Sequence, residues 1–168
     1  IRDTFYSVSK YKLIVRFLIA RLFFNDALIT IFALGGVYAV GTLDFSMQEV
    51  MILGIVLNIS AGIGAFSFGY LEDKIGVVKV INISLVVLIL STLLAYFAPF
   101  TSYGKNLFWV AGVFLGLMIG PNQSCSRSLM ASLTPSDKQS EFFGFFALTG
   151  KATSFLGPLL FSLITIQY

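Results

Sequence analysis

The chain has 168 residues, 57% of them hydrophobic and 11% charged, and a mean hydropathy of +0.91. That composition lies far from a water-soluble domain of this length and marks an integral membrane protein. A formal charge of +3 from scattered Lys and Arg, no histidine and one cysteine, Cys125, exclude a nucleic-acid-gripping basic tract, imidazole acid/base or metal chemistry, and an intrachain disulfide.

Apolar runs long enough to cross a ~30 Å hydrocarbon core, about 20 residues of helix, occur at 17–43, 50–71, 80–97, 107–133 and 142–166. The expected fold is therefore all-α with five membrane-spanning helices and no soluble domain. The first run carries Asn25 and Asp26, with Thr30 one turn on and near the same face. The second offers Gly54, Asn58 and Ala61 or Gly62 at helical spacing. In the fourth, Gly112, Gly116 and Gly120 form a small-residue ridge that continues through Gln123 or Ser124 to Arg127. Gly120-Pro121 removes a backbone hydrogen bond there and predicts a helix break at mid-membrane. Transporter sites favour such breaks, which makes Asn122 and Gln123 candidate ligands for a solute or for freed backbone groups. In the fifth run Gly144, Ala147, Lys151, Ser154 and Pro158 follow three-and-four steps, so that Lys151 is expected on a packing face, away from lipid.

The connections are short: "DFSMQE", "EDKIGVVK", "APFTSYGKN" and "TPSDKQSE". Arg2, Lys10, Lys12, Arg16 and Arg21 flank the first run, Lys74 and Lys79 lie in the second connection and Lys138 in the fourth; the first connection has no cation and the third only Lys105. The positive-inside rule then places the amino terminus and the second and fourth connections in the cytoplasm. The chain starts at Ile1, without a signal-peptide pattern, and an odd helix count agrees with a piece of a longer protein.

The second connection, "FGYLEDKIGVVK", sets Gly69, Leu71, Asp73, Lys74, Gly76 and Lys79 at the spacing G-x-L-x-D-[KR]-x-G-x-x-[KR]. It resembles the cytoplasmic signature loop of the major facilitator superfamily. Physically, Gly69 allows two helices to approach, Gly76 a tight turn, and Asp73 can accept from the N–H groups at a neighbouring helix start or pair with an arginine. Such a contact would latch one conformation, making Gly69, Asp73, Lys74 and Gly76 a candidate gating loop.

Ser126-Arg127-Ser128, Glu141-Phe142-Phe143-Gly144, Gly150-Lys151-Ala152 and Gly157-Pro158, together with "FFNDALITIFALGGVYA", cover a larger resemblance. From Arg16 onward the chain is similar to the carboxy-terminal half of major facilitator permeases related to the autophagy-linked vacuolar amino-acid effluxers, and closer to their bacterial members. This implies helices seven to eleven of a twelve-helix transporter, with six helices before and one after as the partners that complete it, and a bacterial inner membrane as the location.

Charge inside a bilayer costs about 2.5 to 3.5 kcal/mol at a helix centre, so Asp26, Arg127 and Lys151 are expected to face a bundle interior and carry function. Lys151 lies ~13 Å inward of Phe142 at 1.5 Å per residue, and Asp26 as far from Phe17, while Arg127 is ~9 Å short of Leu133. Alternatives stand beside each role: Asp26 as a helix-end aspartate, Lys151 snorkelling to headgroups, Arg127 as a gate residue paired with Asp73. Cys125 reads as a packing residue. The function expected is secondary transport of a small polar solute by alternating access, with amino acids implied by the resemblance. In that scheme Lys151 or Arg127 holds a carboxylate, Asp26 an ammonium or a coupling proton, and no metal or other cofactor takes part. The alternatives are a non-transporting scaffold or receptor of the same fold, and an intramembrane enzyme, for which no suitable nucleophile and base spacing exists.

Overall fold

A computed structural model describes residues 11–151 and, beyond them, Gly157, Leu159, Ser162 and Leu163. Helix α1 spans Lys12–Leu43, α2 Met47–Ile75, α3 Val77–Phe97, α4 Gly104–Leu133 and α5 Gln139–Thr149. Short 3-10 turns, Ala98–Phe100 and Ser136–Lys138, precede the last two. No strand occurs among the described residues. Among the described residues four helices are long and apolar enough to cross a membrane, and the chain is an all-α integral membrane protein. Of the fifth expected span, 142–166, the structure describes α5 and the helical residues Gly157, Leu159, Ser162 and Leu163; Ser154 and Pro158 lie outside the described residues.

Each helix starts three to five residues before its apolar run, because backbone hydrogen bonding continues past the hydrocarbon into polar sequence. The helix ends have local causes. After α1, Asp44 takes φ 54° and the Phe45 N–H reaches back six positions to the Ala39 carbonyl at 3.2 Å, satisfying a carbonyl of the helix's last turns. Ser46 then opens α2 with a reciprocal cap: Ser46 Oγ accepts from the Glu49 N–H at 3.2 Å, and Glu49 Oε2 accepts from the Ser46 N–H at 2.7 Å. Gly76, at φ 88°, is the whole link between α2 and α3, a conformation that side chains disfavour. The expected loop "EDKIGVVK" is thus helical apart from one residue.

The described residues fall into two compact units, Gly36–Leu129 in one and, in the other, 11–35 with those from Met130 onward. In the first, Ala39, Leu43, Phe45, Leu53, Ala98 and Phe108 form a core, with Phe45 edge-on to Phe108 at 5.5 Å between ring centroids. Lys105 caps this end, 3.4 Å from Glu49 Oε2 and 5.2 Å from the Phe45 ring. The glycine ridge of α4 packs on α2. An added Cβ at Gly112 would meet the Leu53 side chain, at Gly116 the Leu57 carbonyl and Ser60, and at Gly120 the Ala61 carbonyl and Ala65. Backbones approach so closely only where both lack bulk. Gly64 of α2 completes the seam against the Leu117 carbonyl, whereas Gly54 and Gly62, which share helical spacing with Asn58, have nothing within 4 Å of the Cβ position. On α3 the buried stripe Val80, Ser84, Leu88 and Ser91 follows four-four-three spacing. Its serines donate within their own helix, Ser84 to the Ile81 carbonyl at 2.8 Å and Ser91 to that of Val87 at 2.7 Å.

In the second unit Ile14 and Leu18 of α1 pack with Met130, Phe142 and Phe146. Tyr11 meets Phe142 edge-on at 5.4 Å, and Gly157 packs directly on Thr30.

Candidate functional site

Pro121 does not break α4, which runs without interruption from Gly104 to Leu133. A proline removes the N–H that would serve the carbonyl four residues back, here Leu117. That oxygen is the one against which Gly64 packs, so the glycine's Cα–H points at it, a weak contact that membrane helices use to tolerate proline. The expected break is corrected accordingly: Gly120 and Pro121 mark a helix-packing seam.

The polar residues beside Pro121 separate. Asn122 is 1% exposed; its Nδ2 donates to Ser84 Oγ at 2.9 Å, and its Oδ1 has no partner among the described residues. Ser126, one turn on and equally buried, likewise has an unpartnered Oγ among them. Gln123 and Arg127 are exposed on another face of the same helix. Asn58 is exposed and donates to the Gly54 carbonyl of its own helix at 2.8 Å. Of the expected ligands Asn58, Asn122, Gln123 and Arg127, Asn122 is the one buried among the described residues.

In the signature segment the helix continues through Asp73 and Lys74, and both are exposed. Gly69 has nothing within 4 Å of its Cβ position, so the close helix approach expected there does not occur among the described residues. Nor does an Asp73–Arg127 ion pair occur among them. The neighbouring Glu72 makes the contact instead, its Oε2 accepting from the Cys125 thiol at 3.2 Å. Cys125 is fully buried, in keeping with a packing role, yet it also ties α4 to the last turn of α2. The signal for Glu72 was its place beside Asp73 in the motif.

The other unit holds Asn25, Asp26 and Lys151. Asp26 is half-buried; its carbonyl accepts from Thr30 Oγ1 at 2.8 Å, and its Oδ1 is buried with no hydrogen-bond partner among the described residues. Asn25, 7% exposed, donates through Nδ2 to the Gly150 carbonyl at 3.1 Å. The expected stripe on the last helix is reversed: Phe142 and Phe146 are buried, whereas Gly144, Ala147 and Lys151 are exposed on this chain. Large rings fill the space beside Ile14 and Leu18 that small residues would leave open. Arg21, counted by sequence among the cytoplasmic flank, is half-buried, and its Nη1 donates to the Phe146 carbonyl at 2.8 Å and to Thr149 Oγ1 at 2.9 Å.

Residues 1–168 match the model of the family described as "Vacuole effluxer Atg22 like". The uncharacterized MFS-type transporter YxiO of Bacillus subtilis is 27% identical over 165 residues, 98% of this chain and 37% of that protein. Autophagy-related protein 22 of Kluyveromyces lactis is 30% identical over 161 residues, 92% of this chain and 33% of its own length. The protein of the same name from Yarrowia lipolytica is 30% identical over 172 residues, 96% and 28% respectively. The chain spans about a third of the length of these relatives. No solved structure matches it significantly.

Proposed function

The chain belongs to the Atg22-like vacuole effluxer family, and from that premise we propose that it forms part of a secondary transporter that moves a small polar solute, in the first instance amino acids, by alternating access. One observation carries the reading. On a helix of membrane-crossing length, Asp26 keeps a carboxylate oxygen buried and without a hydrogen-bond partner among the described residues. A buried polar atom left unpaired is unfavourable by a few kcal/mol, roughly 1 to 3, more for a charge. A group that takes up a proton or a substrate ammonium during a transport cycle accounts for its retention. In this reading Lys151 meets the solute carboxylate, and Arg127 is a second cation of the pathway.

The five helices correspond to seven to eleven of a twelve-helix major facilitator fold, with Gly69, Asp73, Lys74 and Gly76 in its cytoplasmic gate. The distribution of Lys and Arg favours a cytoplasmic amino terminus, and the motif resemblance to bacterial permeases is the ground for placing the protein in an inner membrane. The protein is a carrier and not an enzyme.

The test is flux by the full-length protein in proteoliposomes, with a panel of radiolabelled amino acids and an imposed pH gradient. Gradient-dependent flux that Lys151→Met weakens at least ten-fold in KM is the expected outcome. Absence of flux for every amino acid and gradient would favour a scaffold that keeps the fold; unchanged flux in Lys151→Met would remove the lysine from the pathway.

A further inference from the structure

Helix α5 ends at Thr149, and Gly150 and Lys151 form a turn whose N–H groups donate to the Ala147 and Leu148 carbonyls at 3.2 and 3.0 Å. A helix end leaves carbonyls that need donors from elsewhere. Here they come from α1. Arg21 Nη1 donates to the Phe146 carbonyl and to Thr149 Oγ1, its guanidinium carbon lies 3.6 Å over the Phe146 ring, and Asn25 Nδ2 donates to the Gly150 carbonyl. Thr149 Oγ1 in turn donates to the Phe146 carbonyl at 2.9 Å. Arg21 and Asn25 stand one turn apart on one face of α1, and a cation beside the carboxy-terminal end of α5 also complements its dipole. The guanidinium lies against the turn itself, since a Cβ added at Gly150 would sit 3.3 Å from Arg21 Nη1.

We propose that Arg21 and Asn25 are positioning residues: together they clamp the end of α5 and thereby set the place from which Lys151 meets the solute. The inference rests on the transport reading above. Both bonds leave one nitrogen, Nη1, while the planar guanidinium lies over the Phe146 ring; a lysine, whose compact, strongly hydrated ammonium has no planar face, could not hold both acceptors and stack on the ring.

Two readouts on the full-length protein test it. In amide hydrogen exchange, peptides containing Gly150 and Lys151 are protected in the wild type and lose that protection in Arg21→Met and Arg21→Lys alike, but keep it in Lys151→Met. In flux, Arg21→Met raises KM about ten-fold, the size of one charge-assisted hydrogen bond, with little change in kcat. The double variant Arg21→Met/Lys151→Met has the same KM as Lys151→Met alone, since Arg21 acts through the lysine. A merely structural role would instead lower the amount of active protein at constant KM, and that result, additive KM effects, or exchange unchanged in Arg21→Met would each overturn the proposal. Wild-type protein that moves no solute overturns the transport reading and this one with it, whereas robust flux with additive effects overturns the clamp alone.

Discussion

Replacing Gly116 by alanine puts the α2–α4 seam under direct test. The new Cβ would lie 2.7 Å from the Leu57 carbonyl oxygen and 2.9 Å from Ser60 Cβ, where ordinary contact begins near 3.4 Å. Both obstacles are backbone or the first side-chain atom, so no flexible tip can swing aside and the helices must part by roughly 0.7 Å over at least one turn. A radial gap of 0.5 to 1 Å forfeits about a quarter to a half of the dispersion well for each facing atom pair. Overpacking of this kind costs about 1 to 3 kcal/mol. Against it stands the better helix propensity of alanine, about 1 kcal/mol. The net expectation is destabilisation of about 1 kcal/mol, with Gly64→Ala and Gly120→Ala worse because their Cβ positions press deeper into the carbonyls of Leu117 and Ala61. Gly62→Ala, whose Cβ has open space, is the matched control and should be neutral or stabilising. Thermal inactivation of the full-length protein in one detergent, with denaturant titration where unfolding reverses, ranks the variants. Gly116→Ala proving as stable as Gly62→Ala would refute the close-packed seam.

Two further outcomes follow from the same geometry. Gly76→Ala forces a side chain into φ 88°, a strain of about 1 to 2 kcal/mol that should lower the inactivation temperature, while Lys74→Ala on the exposed flank should not. Ser84→Ala removes the acceptor of the Asn122 amide in a fully buried place and should destabilise by about 0.6 to 1.7 kcal/mol, the range of membrane hydrogen bonds, with Ser84→Thr recovering part of it.

Spans and small-residue ridges are visible in sequence because hydrocarbon demands long apolar runs and close helix contact demands residues without bulk. Gly112, Gly116 and Gly120 were recognisable on that ground, and so was the turn at Gly76. What spacing does not contain is the identity of the facing partner. The stripe through Gly144, Ala147 and Lys151 is a real face of the last helix, yet on this chain the aromatic face through Phe142 and Phe146 meets α1. Pro121 shows the same limit: its lost hydrogen bond suggests a break, but whether a helix breaks depends on what covers the orphaned carbonyl, and Gly64 covers it. Arg21 was hidden by a charge count that assigns every terminal cation to the membrane surface, although three-and-four spacing to Asn25 already aligned the two. Ser46 and Glu49 form the S-x-x-E pattern of a reciprocal cap and were readable from the sequence alone.

The proposed role of Asp26 in a transport cycle is tested most directly by the pH dependence of amino-acid flux in proteoliposomes, compared between the full-length wild type and Asp26→Asn. Flux that follows an imposed proton gradient in the wild type and loses that dependence in Asp26→Asn is the predicted result. Proton-driven flux unchanged by Asp26→Asn, with the same pH profile, would contradict it.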